Sequence, residues 1–188
     1  MLFGVLLSSC GIVHQSKQIE RFTQSKFTVN SMVLESIMGR DVSHVKKASD
    51  LNFNDMIEFT AGFYNGNLMA QMLFNIEVNN PSDQEAAISG MDWKLLQKDQ
   101  VVASGQMNKP VEVAPHGKTS FDLEAEVNLS KILQLNSVDQ IFSVLSGKMS
   151  PQIIKKLGLV IKLKPYYKLN GKVQKFPGYL TINPDLGN

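Results

Sequence analysis

The chain contains a single cysteine, Cys10, among 188 residues. One cysteine excludes an internal disulfide, a Cys-x-x-Cys redox pair and a cysteine-rich zinc site. The net charge is only +2, which gives no support to general nucleic-acid binding. No apolar run approaches the roughly 20 residues that a membrane helix needs. With 43% hydrophobic and 19% charged residues, the composition predicts one globular domain with a substantial core.

Motifs that carry catalysis or metal binding are missing as well. His14, His44 and His116 have no neighbour at a spacing that makes a metal pair. Residues 43–46 match the Ser-x-x-Lys pattern of penicillin-binding enzymes, but the two other signatures of that class are absent. Residues 117–119 resemble the end of a phosphate-binding loop without its earlier glycine. We therefore predict no catalytic residue, no metal site and no cofactor.

The N-terminus resembles an export signal. Residues 2–7 are mostly apolar, and Leu-Ser-Ser-Cys at 7–10 resembles a bacterial lipobox. In such a signal the apolar segment enters the membrane, and small residues fit the peptidase beside the cut. We expect residues 1–9 to be removed and Cys10 to become an acylated N-terminus. The alternative is a buried N-terminal strand with an inert free cysteine.

An acylated Cys10 places the protein in the bacterial cell envelope. Each buried CH₂ of an acyl chain contributes about 0.8 kcal/mol of membrane affinity, so several chains anchor a protein firmly. Gly11 stands where an inner-membrane retention signal often has aspartate. We therefore expect the outer membrane, with the folded part facing the periplasm. Residues 10–25 are mostly polar and are expected to form a tether.

From residue 26 onward, apolar and polar residues alternate with the period of β-strands. The first predicted strand carries Phe27, Val29, Ser31 and Val33 on one face. Further predicted strands cover residues 57–63, 68–78, 87–97, 100–111, 121–127, 159–169 and 172–182. Turns are expected at Asn65-Gly66, Lys98-Asp99, 114–117 and Asn170-Gly171, because Asn-Gly favours a hairpin turn and proline lacks a ladder N–H group.

A helical period occurs only late in the chain. Residues 137–140 read Ser-x-x-Gln, a capping-box signature, and an apolar stripe continues to a glycine at 147. Residues 151–158 predict a second short helical turn. Many short strands with glycine, proline and asparagine turns predict a mainly β fold, an antiparallel β-sandwich of about seven strands. We assign residues 26–184 to this domain, with a short helix near its C-terminal part.

Four segments in the middle of the chain follow one another in a recognisable order. They are Phe74–Ser82, Ile88–Leu95, Val101–Gly105 and Val113–Thr119. This order and spacing resemble the late embryogenesis abundant group 2 domain, also called the water stress and hypersensitive response domain. The resemblance implies an immunoglobulin-like β-sandwich and a non-enzymatic role, linked in plants to dehydration stress. Bacterial members are often small exported lipoproteins, which agrees with Cys10.

The C-terminal region is basic. Between Lys148 and Lys175 there are eight lysines and no acidic residue. From these we single out Lys162, Lys164, Lys168 and Lys172 as a surface patch for an anionic partner, either an anionic lipid or an envelope protein. The alternative is a set of strand-edge lysines that discourages sheet-to-sheet aggregation.

Aromatic residues and methionines offer a second functional possibility. An apolar ligand would need a groove lined by such side chains, whereas a sandwich core is their ordinary destination. The residues concerned are Phe63, Tyr64, Met69, Met72, Phe74, Trp93, Tyr166 and Tyr167. We expect a non-enzymatic, membrane-anchored interaction or envelope stress-protection module. A carrier or sensor of an apolar ligand or lipid remains the alternative.

Overall fold

Antiparallel strands make up most of the chain in the computed structural model, which describes residues 9–133, 157–169 and 172–182. The helices are α1 (Ser9–Gln24), α2 (Phe53–Tyr64) and α3 (Leu129–Ile132), with a 3₁₀ turn at Ala48–Asp50. The strands are β1 (Lys26–Ile37), β2 (Arg40–Asp41), β3 (Met69–Asn79), β4 (Ala86–Ile88), β5 (Gly90–Gln97), β6 (Gln100–Met107), β7 (Val111–Val113), β8 (Lys118–Asn128), β9 (Leu159–Leu169), β10 (Lys172–Lys175) and β11 (Leu180–Ile182).

Two main sheets face each other across one core. The first sheet has the order β2-β1-β3-β8, and the second has the order β10-β9-β5-β6, with β11 also paired to β9. Strands β4 and β7 form a small separate pair. The inner faces of both sheets belong to one cluster of buried apolar residues. This architecture confirms the predicted mainly β antiparallel sandwich.

Strands β3 and β8 show most clearly why the sequence forms sheets. Every second side chain of β3 is buried, and β8 alternates in the same way while its intervening side chains stay exposed. Such alternation buries one face of a strand and leaves the other in water. The buried residues are Ala70, Met72, Phe74, Ile76, Val78, Phe121, Leu123, Ala125 and Val127. The predictions for these two strands are confirmed.

Strand β1 forms where the sequence predicts a strand, but its buried face is different. The core receives Val29 as predicted, but it then receives Met32, Leu34 and Ile37. Ser31 is exposed, and Phe27 and Val33 are half-buried. The pairing of β1 with β3 shifts between Val29 and Ser31 and again after Leu34. Each shift adds one residue to β1, so the side chains that follow point to the opposite face.

Helix α1 replaces the tether that the sequence predicts for residues 10–25. Ile19 and Phe22 lie three residues apart on one side of α1, and both are buried in the core. The ring of Phe22 meets that of Phe27 edge-on at a centroid distance of 5.4 Å. Gln18 Nε2 donates to Glu85 Oε1 at 2.6 Å on the surface. The expectation fails because one short apolar stripe is enough to dock an otherwise polar helix.

Helix α2 replaces the predicted strand at residues 57–63, so the first predicted hairpin is wrong. Asn52 caps the helix by accepting a hydrogen bond from the backbone N–H of Asp55 at 2.8 Å. The Asn65-Gly66 pair ends α2 instead of turning a hairpin, and Gly66 adopts the left-handed conformation with φ of +64°. A glycine in that conformation commonly follows a helix C-terminus, so the same dipeptide serves either structure.

The later turns agree with the sequence. Lys98 and Asp99 both have positive φ, as a two-residue hairpin turn between β5 and β6 requires. Strands β10 and β11 both return along β9, which confirms the terminal hairpin. The helix predicted for residues 137–147 lies outside the described residues, as do the turn at Asn170-Gly171 and all but the end of the helical turn predicted for 151–158. At that end, Gly158 has a positive φ of +58°.

Two of the passages of the chain between the sheets, from β3 to β5 and from β6 to β8, are tied to Asn80. The side chain of Asn80 is fully buried, and its Nδ2 donates to the backbone oxygens of Gln84, Val113 and Ala114. Its Oδ1 accepts from the N–H of Ser82 at 3.0 Å. The loop from β3 to β4 and the loop from β7 to β8 are therefore joined through one amide.

We predict that Asn80→Ala lowers the free energy of unfolding by about 2–4 kcal/mol, because several buried hydrogen bonds lose their donor. Urea unfolding of the full chain measures this loss. Asn79→Ala is the matched control, because the side chain of Asn79 is half-buried and forms no hydrogen bond in the described part. The control should change stability by less than about 0.5 kcal/mol. Equal effects of the two variants would contradict the role assigned to Asn80.

We predict that Phe22→Ala lowers the free energy of unfolding by about 3–5 kcal/mol, because it opens a cavity where α1 meets the core. The control is Phe53→Ala, which removes the same atoms from a side chain that is 75% exposed. Urea unfolding of both variants tests the docking of α1. If Phe22→Ala is as mild as Phe53→Ala, residues 10–25 behave as a tether after all.

Candidate functional site

Lysines gather on the outer face of the second sheet. Residues directly opposite in an antiparallel ladder point to the same side of the sheet. Lys94 of β5 lies opposite Lys162 of β9, and Lys164 lies opposite Asp92. Lys168 and Lys175 belong to the same side, because Val173 lies opposite Lys168 and Lys175 lies opposite Tyr166. We call this surface the lysine face: Lys94, Lys162, Lys164, Lys168, Lys175, Asp92 and Tyr179.

Tyr179 joins the lysine face from the loop between β10 and β11. Its ring centroid lies 5.2 Å from Nζ of Lys94 and 5.3 Å from Nζ of Lys164. Ammonium groups at this distance are attracted by the electrons of the ring. Tyr179 is 41% exposed, so the ring collects two lysines while part of it stays open to solvent.

Asp92 is the carboxylate of this face in the described part of the chain. It is bound by Nζ of Lys175, and this hydrogen bond raises the pKa of Lys175. Gln106 Nε2 donates to the other oxygen of Asp92 at 3.2 Å. Lys94, Lys162 and Lys164 have no carboxylate within ion-pair distance in the residues that the structure describes. The negative charge of Asp92 is therefore paired with Lys175 and does not offset the charges of Lys94, Lys162 and Lys164.

The predicted patch is brought together only in part. Lys162, Lys164 and Lys168 share the lysine face, whereas Lys172 points to the opposite side of β10 because it lies across from Leu169. Sequence reasoning missed Lys94 and the contact with Tyr179. Lys94 alternates with buried Trp93 and Leu95, so its exposure is readable from the sequence. The position of Lys94 beside Lys162 of β9 cannot be read from the sequence, because the local pattern does not show which strands pair.

Tyr166 lies under the same face but is fully buried. Its hydroxyl donates to Oδ1 of Asn108 at 2.5 Å, so the ring crosses β5 at Gly90 to reach the end of β6. A Cβ on Gly90 would meet the Tyr166 hydroxyl at 2.5 Å and the Met107 backbone oxygen at 2.4 Å. Only glycine leaves room for the ring at this position. Burial, and then the charge of Asp92, raises the pKa of Tyr166.

In the described part of the chain, the residues named for the alternative of an apolar groove do not come together in one groove. Met72, Phe74 and Trp93 are buried in the core, whereas Tyr64 is 76% exposed on α2. A cavity of about 520 Å³ lies between the edges of β6 and β8. Trp93 forms part of its wall, and most of the other lining side chains are polar. Polar side chains lining it include Gln71, Ser104, Gln106, Asp122, Glu124 and Glu126.

Cys10 and the residue types that ligate metals remain to be located in the fold. Cys10 lies in the first turn of α1, and α1 packs against β4 and β9. None of the helices described is both long enough and apolar enough to cross a bilayer. Within the described residues, no three His, Cys, Asp or Glu side chains come together as a metal site would require.

The family model of the late embryogenesis abundant proteins matches residues 75–185, which is more than half of the chain. The protein belongs to the late embryogenesis abundant family, in the LEA_2 group. Membership confirms the resemblance drawn from the sequence and indicates a stress-related, non-catalytic domain. No match is found among curated proteins.

Solved structures with a similar fold are distant. A solution structure from Arabidopsis thaliana shares 11% identity, with 83% of this chain and 75% of that chain covered and a TM-score of 0.39. A protein assigned to the late embryogenesis abundant class shares 11% identity over 96% of this chain and 88% of its own, with a TM-score of 0.32. A glycoside hydrolase family 2 β-glucuronidase shares 9% identity, but only 12% of it is covered, with a TM-score of 0.34.

We predict that Tyr166→Phe lowers the free energy of unfolding by about 1–2 kcal/mol at neutral pH, because Asn108 loses its donor. The raised pKa of Tyr166 means that its stabilisation is complete below pH about 10 and is lost as pH rises through the folded pKa. The variant should therefore lose less stability above pH 10 than the wild type does.

Urea unfolding at neutral and alkaline pH measures both effects. The control is Tyr64→Phe, whose hydroxyl is on an exposed side chain and should matter at neither pH. Parallel alkaline losses in wild type and Tyr166→Phe would show that Tyr166 is not the group concerned.

Proposed function

We propose that this protein is a non-catalytic module held at an envelope membrane by an acylated Cys10, with its domain facing the periplasm. The observation that carries the proposal is the position of Cys10, directly after the lipobox-like residues 7–9 and at the beginning of α1. There the module protects the envelope or engages a partner under stress. Membership of a stress-related family supports this role.

Helix α1 gives the proposed anchor a defined geometry. Ile19, which is buried, follows Cys10 by nine positions, and a helical rise of about 1.5 Å per residue makes this roughly 14 Å. The helix is continuous over this distance, so the acylated end is joined to the domain by a rigid element. The domain would then stand close to the bilayer surface rather than at the end of a loose tether.

The carrier alternative has less support. The residues that would line an apolar groove are divided between the core and the surface. The cavity between β6 and β8 is bordered by Asp122, Glu124 and Glu126, which suit an apolar ligand poorly. A carrier would need a different site from the one expected from the sequence.

We predict that the full-length protein, expressed in a bacterium with lipoprotein processing, has the mass of a chain that begins at an acylated Cys10 and sediments with membranes. Cys10→Ser should abolish the added mass and release the protein, because no sulfur remains for the acyl group. Intact mass spectrometry and membrane fractionation measure both results.

A matched control separates the lipobox from the thiol itself. The double variant Cys10→Ser with Ser104→Cys restores one cysteine at an exposed position of β6. It should stay unacylated and soluble after fractionation. A wild-type chain that retains Met1 with an unmodified mass would refute the proposed anchor.

A further inference from the structure

We propose that the lysine face is a docking surface for anionic phospholipid headgroups, with Lys94, Lys162, Lys164 and the phenol of Tyr179 contacting the phosphates. The inference deepens the proposed function in one respect, because acylated Cys10 would bring this face to a bilayer. The binding itself needs only the folded domain. It can therefore be tested without the acyl anchor.

The lysine face carries an excess of like charge that its own carboxylate does not relieve. Lys94 and Lys162 are direct cross-strand neighbours, a position at which like charges destabilise a sheet. Lys164 follows two residues along β9 on the same side, and Asp92 opposite it is bound by Lys175. A phosphate placed among these ammonium groups removes the repulsion and forms charge-assisted hydrogen bonds.

Tyr179 organises the ammonium groups and extends the surface they form. Its ring holds Nζ of Lys94 and Nζ of Lys164 at nearly equal distances, 5.2 and 5.3 Å from the centroid. The two lysines are therefore drawn together before any anion arrives. Aromatic side chains with one polar end are suited to the headgroup region, where an apolar ring meets water.

Acidic residues elsewhere on the sandwich would turn the lysine face toward an anionic surface. The outer side of the first sheet carries Glu77 on β3 and Asp122, Glu124 and Glu126 on β8, with Lys118 paired to Glu77. Asp122, Glu124 and Glu126 border the cavity beside β6, at the edge of the second sheet away from β9 and β10. An anionic surface attracts the lysine face and repels this acidic edge, so the sandwich would meet an anionic membrane in a preferred orientation.

A bilayer fits this face better than a small soluble anion. The lysines project from one side of a sheet, so their charged ends can reach a plane of headgroups while their stems lie along the protein. Helix α1, which carries Cys10, packs against β9, the strand that carries Lys162 and Lys164. The proposed anchor and the lysine face therefore belong to neighbouring parts of the molecule.

The test uses the full chain with Cys10→Ser, so failure of acylation cannot affect it. Co-sedimentation with vesicles of phosphatidylcholine, with and without phosphatidylglycerol, gives the partition coefficient. We expect binding only to the anionic vesicles. Lys162→Gln with Lys164→Gln should weaken it by about 25-fold, since each lysine near an anionic surface contributes about fivefold.

The control is Lys26→Gln with Lys172→Gln, which removes the same charge from residues outside the lysine face. It should weaken binding by no more than about twofold, because screening limits the effect of distant charges. Tyr179→Ala should weaken binding as well, while Tyr64→Ala should not. Urea unfolding of each variant confirms that it is folded, and the lysine variants should be no less stable than the parent.

Three outcomes would overturn the proposal. The first is no difference between anionic and neutral vesicles. The second is an equal loss for both lysine pairs, which would mean that only net charge acts. The third is binding of inorganic pyrophosphate, or of an acidic protein, by the same lysines without any affinity for the vesicles. Each result leaves the Cys10 anchor to be judged by its own mass and fractionation experiment.

Discussion

The buried amide of Asn80 is the constraint on which the two-sheet arrangement depends. Strand β3 belongs to the first sheet, and the chain passes from it through β4 to β5 in the second. It comes back through the loop between β7 and β8. Because Asn80 Nδ2 donates to the loops on both routes, the two sheets are held at a fixed offset at this end. Four hydrogen bonds to one uncharged side chain accomplish this without burying a charge.

The two outer faces follow from that arrangement. Strands β5 and β9 lie far apart in the sequence, yet their ladder brings Lys94 beside Lys162. Strand β8 carries its acids on its exposed side, beside the edge strand β6. A chain with a net charge of only +2 thus presents one basic surface and one acidic surface. Composition alone gives no sign of this separation.

The sequence predicts the strands best where alternation is long and uninterrupted. Strands β3 and β8 were identified with their buried faces because each carries eleven residues of regular pattern. The face of β1 was misjudged because bulges change which side chains point inward. The sequence predicts a strand where α2 forms, because a short run of spaced apolar residues fits either period. Asn65-Gly66 did not resolve the choice.

The candidate site was predictable in outline but not in composition. Lysine enrichment after residue 148 is visible in the sequence, and it led to three members of the lysine face. Lys94 and Tyr179 join them through strand pairing and a loop, which depend on long-range folding. Lys172 was included because it is near in sequence, but alternation in β10 turns it away. The docking of α1 is hard to read from the sequence, because the buried residues among its described side chains, Ile19 and Phe22, stand in a mostly polar segment.

The connection of α1 to β1 has a mechanical consequence. Ser25 alone separates the helix from the strand, so a pull on the N-terminus reaches the sandwich through α1. Among its described side chains, α1 is held by buried Ile19 and Phe22 and by a few surface hydrogen bonds, whereas β1 is held along its length by β3. Under load α1 should detach first and lengthen the link to Cys10, while the sheets stay intact. The helix would act as an extensible coupling that yields before the domain does.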